Sequence, residues 1–85
     1  MTRLYDLHVQ TRGGVYELGR VVSVLALLDL TPAALTSYGD ASGLQIAMQI
    51  EGEPRVCELC ASRLTALVGV NSATLRVAAE IGREP

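Results

Sequence analysis

The apolar residues of this chain change their spacing repeatedly, and the order of those changes restricts the fold more than any other property. Leu4–Gln10 alternates, with Tyr5, Leu7 and Val9 on one side and Asp6, His8 and Gln10 on the other. That is the period of a strand buried on one face. From Val15 the spacing lengthens, so that Val15, Leu18, Val21, Val22, Leu25 and Leu28 fall along one side of a helix ending near Leu28. Leu30–Tyr38 reads as extended again, because Pro32 forbids helix and is tolerated only early in a strand or on a sheet edge. Gly39–Gly43 is dense in turn formers. Leu44, Ile46, Met48 and Ile50 then alternate with Gln45, Ala47, Gln49 and Glu51. Two strands joined by so short a connection predict an antiparallel hairpin.

Pro54 suits the first turn of a second helix, expected to run to about Val68. Its apolar side collects Val56, Cys57, Cys60, Leu64, Leu67 and Val68, and Gly69 is placed as its C-terminal cap. Ala73, Leu75 and Val77 alternate with Thr74, Arg76 and Ala78 in a fourth strand. The predicted class is therefore α+β, the ferredoxin-like βαββαβ sandwich. Two helices with one apolar side each should cover one face of a four-stranded antiparallel sheet. The other face is expected to carry Asp6, His8, Gln10, Gln45, Gln49, Glu51, Thr74 and Arg76 in water. Residues 1–79 read as one domain, and 80–85 as a polar tail with no reason to be ordered.

A sheet that binds RNA presents aromatic side chains and cations to stacked bases. The chain has no Phe, no Trp and no lysine, and its net charge is −2. The corresponding sheet positions hold His8, Gln10, Gln45 and Gln49, so neither nucleic acid nor an anionic membrane is an expected partner. The N-terminus lacks the apolar region of a signal peptide, and Val21–Leu28 is too short to span a bilayer. Two cysteines do not make a disulfide framework, which fits a reducing, cytoplasmic setting. An 85-residue domain buries proportionally little surface, so its stability is expected to lean on a partner subunit.

Gly13 and Gly14 precede the first helix. Glycines there permit positive φ and leave amide groups of the helix end open to a carboxylate or phosphate, or they simply make the turn. Cys57 and Cys60 have the spacing of a soft-metal pair. Metal-binding pairs in small domains of this kind sit in an exposed loop, whereas this pair lies mid-helix on the apolar side and reads as core. His8 has only Asp6 as an ionisable neighbour on its strand and reads as a surface histidine. No nucleophile has a base at a recognisable spacing and no phosphate-binding loop is present, so no enzyme activity, metal or cofactor is expected. An acylphosphatase-like hydrolase remains an alternative through Arg12, although it would want an asparagine to place water and the single one, Asn71, lies far along the chain. Tyr16, Val24 and Leu27 share the outer side of the first helix with Arg20 and Ser23, which suggests contact with another chain.

Gly14-Val15 before Leu18, then Gly19-Arg20-Val21, then Leu27-Leu28 and an extended start at Leu30 form a pattern that resembles the ACT domain across residues 4–78. Among proteins of that kind, so short a chain is similar to the small regulatory subunits of acetolactate synthase. The resemblance implies a non-catalytic regulatory module of amino-acid biosynthesis. It implies a homodimer formed through second strands or helices, with a small amino-acid effector between the chains and a larger catalytic subunit as partner. Carried over by position, the ligand-binding residues would be Arg12, Gly13, Gly14 and Val15 of one chain and Leu30, Thr31 and Pro32 of the other. A second reading keeps the dimer but drops the ligand, because Pro32 removes a backbone donor from that wall.

Overall fold

The computed structural model describes residues 1–81, which form β1 (Thr2–Thr11), α1 (Val15–Leu27), β2 (Ala34–Asp40), β3 (Gly43–Gly52), α2 (Pro54–Thr65) and β4 (Val70–Ile81). The order and class are those predicted: a ferredoxin-like sheet, antiparallel throughout, with strands in the order β2-β3-β1-β4. β1 is central. Leu7 stands opposite Met48 on β3 and Leu75 on β4, and Val9 opposite Ile46 and Ala73. Directly opposed residues share a face of the pleat, so these rows make one continuous apolar surface. Tyr5, Leu7, Val9, Ile46, Met48 and Ile50 close there against Val21, Val24 and Leu25 of α1 and Cys57, Cys60 and Leu64 of α2. Each fully buried aliphatic contributes about 1.5–3 kcal/mol of transfer free energy.

Several local readings change. The buried stripe of α1 is rotated from the expected one: Val24 lies inside, while Val15 is 84% and Val22 45% exposed. For Val22 the cause is β2, all seven of whose residues are exposed. The edge strand lies outside the cover of the helices, so the flank of α1 that carries Val22 overhangs a groove instead of a sheet.

The second strand also begins later than expected. Leu30, Thr31 and Pro32 precede it, and Leu30 closes the end of α1. Its amide donates to the Leu25 carbonyl at 2.9 Å, and that of Asp29 donates to Ala26 at 3.1 Å. Asp29 itself takes φ 57°. This is the Schellman arrangement, with Leu30 and Leu25 as its apolar pair. Pro32 therefore never enters the ladder.

The expected five-residue connection shortens to Ala41-Ser42, because the flanking residues pair in the hairpin. The Ser42 hydroxyl and amide donate to Asp40 Oδ1 at 2.7 and 2.9 Å, and these bonds hold the Asp40 carboxyl below its ordinary range. At the other end α2 stops at Thr65 and is capped by Ala66. Gly69 lies beyond the cap, at φ +96°, and Val68 is exposed. β4 continues to Ile81; the rest of the expected tail, residues 82–85, lies outside the described residues. Among the described residues no helix is long and apolar enough to cross a membrane.

Candidate functional site

The glycine corner between β1 and α1 is held from two sides. The buried Thr11 hydroxyl donates to the Leu44 carbonyl at 3.1 Å, and the Arg12 amide donates to the Gly69 carbonyl at 2.8 Å. Neither Gly13 nor Gly14 has positive φ, so left-handed backbone does not explain them. A neighbour accounts for Gly13. Glu17 turns back over the corner, and its Oε1 accepts the Gly14 amide at 3.2 Å. A Cβ on Gly13 would overlap the Glu17 carboxyl, and one on Gly69 would come within 3.1 Å of its Oε2. The glycines at 13 and 69 thus form a slot for this carboxylate.

Glu17 supplies half of a capping box; Gly14, lacking a side chain, cannot return the other half. The charge sits where the positive end of the helix favours an anion. The anion expected at this corner is consequently internal, and an incoming carboxylate would meet a negative charge before it met a free amide. Glu17 was absent from the sequence-derived site. The signal was available as an acidic residue three positions after Gly14, but the missing hydroxyl at the cap concealed it.

This arrangement predicts a coupling. Gly13→Ala should force Glu17 out of the slot and cost about 1 kcal/mol, comparable to losing a cap. In a Glu17→Ala background the same change should cost nearly nothing, because the colliding group is gone. Thermal unfolding of the two single variants and the double variant checks this; additive losses would contradict it.

Arg12 and Val15 are exposed beside the corner. Leu30 is buried, Thr31 exposed and Pro32 half-buried. The two groups of sequence-derived residues stand at opposite ends of α1, whose 13 residues span about 20 Å. One chain does not bring them together. Thr31 and Pro32 instead line an apolar groove of about 340 Å³ with Leu30, with Val22, Leu25 and Ala26 of α1, and with Leu35 of β2. Next to it runs the outer edge of β2, whose single strand partner among the described residues is β3.

Arg20 joins α1 to the segment before β4. Its Nη1 donates to the Val68 carbonyl at 3.1 Å while the guanidinium lies 5.8 Å from the Tyr16 ring centre. Tyr16 and Leu27 are exposed as expected, at 73% and 77%. Val24, expected beside them, is in the core.

Cys57 and Cys60 are fully buried free thiols. Burial pushes both upward, Cys60 to about 11. Thiols so protonated at neutral pH are poor nucleophiles and poor metal ligands. Among the described residues no group of three or more His, Cys, Asp or Glu side chains is placed to hold a metal ion.

No protein-family model matches the sequence, and no curated protein matches it significantly. Solved structures do resemble it. The ACT domain from GTP pyrophosphokinase of Chlorobium tepidum superposes with a TM-score of 0.73 at 9% identity, over 87% of this chain and 85% of that one. The C-terminal domain of the MgtC protein from Mycobacterium tuberculosis gives 0.71 at 15% identity, over 96% and 94%. A homoserine dehydrogenase from Thiobacillus denitrificans gives 0.79 at 13% identity, over 96% of this chain but 19% of that enzyme. With its element order and single-sided helices, the chain has an ACT-like fold.

Proposed function

We propose that the chain is a non-catalytic regulatory module that works as a homodimer, binds a small amino acid, and modulates a larger enzyme of amino-acid biosynthesis. Acetolactate synthase is the partner suggested by the sequence resemblance. The observation that carries the dimer is β2: among the described residues no strand pairs with its outer edge, its seven residues are exposed, and an apolar groove runs beside it. An edge strand of this kind is a template for another strand. A second copy paired along β2 would cover the groove and extend the sheet to eight strands. The ACT-like fold supports the regulatory role. Occupancy would be transmitted by favouring one dimer geometry over another.

Thermal shift of the wild-type chain against the proteinogenic amino acids tests the effector. A ligand present at 100 times its Kd stabilises by about 2.7 kcal/mol, which should raise Tm by on the order of 10 °C. No shift with any amino acid at millimolar concentration would remove the effector from this reading.

A second reading is favoured by one specific observation, the Glu17 carboxylate in the corner. A self-filled corner suits a structural subunit that stabilises its enzyme partner without a ligand. Co-purification with a large enzyme whose activity is indifferent to amino acids would support it. The same carboxylate weighs against the acylphosphatase-like alternative, since it would repel a phosphate from Arg12.

A further inference from the structure

The sheet face turned away from the helices is not the uniform polar surface its sequence suggests. Cross-strand partners set out two rows on it: Ala34, Gln49, Asp6 and Arg76, then Thr36, Ala47, His8 and Thr74. Three of the residues toward β2 are small. They leave a hollow of about 270 Å³ over Ala34, Thr36 and Ala47, walled by Asp6, His8 and Gln49. A second hollow of about 220 Å³, lined by Asp6, His8, Thr74 and Arg76, adjoins it. The two share Asp6 and His8, so one basin runs from a small apolar floor to a charged rim.

The charges of the rim are placed but not joined. Asp6 is half-buried, and its Oδ1 accepts Gln49 Nε2 at 3.1 Å, which orients the carboxylate and leaves Oδ2 unused. Arg76 is the direct cross-strand partner of Asp6, at a backbone separation of about 5 Å. Among the described residues the two nevertheless form no ion pair. Opposite charges held side by side, each with donors or acceptors free, complement a molecule that carries both signs on adjacent atoms.

We propose that this basin binds a small zwitterionic α-amino acid with a short aliphatic side chain. Its ammonium sits on Asp6, its carboxylate lies on the Arg76 guanidinium in the two-pronged geometry that arginine offers, and its side chain lies over Ala47 toward β2. The volume is near the lower end of small-molecule sites, which restricts the side chain to short aliphatics. The inference rests on the effector reading for its ligand and moves that ligand from the Glu17-filled corner to the sheet. Pairing of a second copy along the β2 edge leaves this face open.

Calorimetric titration with valine, leucine and isoleucine tests the proposal on the wild-type chain and on folded Asp6→Asn, Arg76→Gln and Arg12→Ala variants. N-acetyl-valine, which lacks the ammonium, and valinamide, which lacks the carboxylate, are titrated alongside. The expected result is saturable binding of at least one amino acid, weakened at least tenfold by Asp6→Asn and by Arg76→Gln. Both truncated probes should lose binding, and amide shifts on titration should fall at Thr36 and Ala47. Binding that survives both sheet variants but is lost in Arg12→Ala overturns the sheet site and leaves the effector reading standing. Absence of binding by all three amino acids to the wild-type chain overturns both.

Discussion

Val22→Asp is expected to leave the chain folded and to weaken its self-association by 100-fold or more. Val22 is 45% exposed on the flank of α1 that overhangs the groove, so in an isolated chain the new carboxylate stays hydrated and stability changes little. In a dimer paired along β2, the same side chain would be enclosed with Leu25, Leu30 and Leu35. A carboxylate confined there without a cation loses its hydration. A 100-fold loss corresponds to about 2.7 kcal/mol, a modest share of that penalty. Sedimentation across a concentration series reads the effect, with Ser62→Asp on the exposed side of α2 as the control. Equal association by both variants would place the contact elsewhere.

The largest effect on stability is expected at Gly43. It opens β3 at φ +133°, a conformation that side-chain-bearing residues rarely adopt. It also lies against the end of β1: a Cβ there would run into the Thr11 carbonyl oxygen and stand 2.8 Å from the Arg12 Cα. These are backbone atoms, fixed by the Thr11 hydroxyl bond to Leu44 and by the Arg12 amide bond to Gly69. Nothing flexible can yield, in contrast to Gly13, where the obstacle is the mobile end of Glu17. Gly43→Ala should therefore cost about 3 kcal/mol or more, out of roughly 5–15 kcal/mol for a typical domain. Tm should fall by about 12 °C or more, and the corner residues should lose amide-exchange protection first. A fall of only a few degrees would show that β1 and β3 separate easily at this point.

How far the fold could be read depended on whether a feature was periodic or relational. Alternation in β1 and β3 and the longer spacing in α1 and α2 are properties of each segment alone, and they carried the whole element order. Which flank of α1 is buried is a relation between elements. Val22 and Val24 both border the stripe, and the choice between them was made by β2 lying outside the cover of the helices. Leu30 reads as strand because Pro32, two residues on, forbids helix. Its actual role depends on Asp29 taking a left-handed conformation that glycine or asparagine would have advertised. Gln45 belongs to the same class. Its strand register places it on the outer face as expected, yet between Gln10 and Tyr38 it is only 7% exposed.

The candidate site shows the same division. The corner residues Arg12–Val15 were found as a corner, but the group that fills it comes from the following helical turn. Leu30, Thr31 and Pro32 lie at the far end of α1, so within one chain they do not reach that corner. The Asp6–Arg76 pair was visible as two polar positions on one face, while the hollow beside it needed the register that sets Ala34 and Ala47 in adjacent strands.

Light scattering of the wild-type chain during size exclusion, over micromolar to millimolar loading, tests most directly whether the exposed edge of β2 has a second copy as its partner. The proposal predicts a mass twice the 9.0 kDa of one chain, returning to a single chain in Val22→Asp. A single-chain mass at every concentration would contradict it.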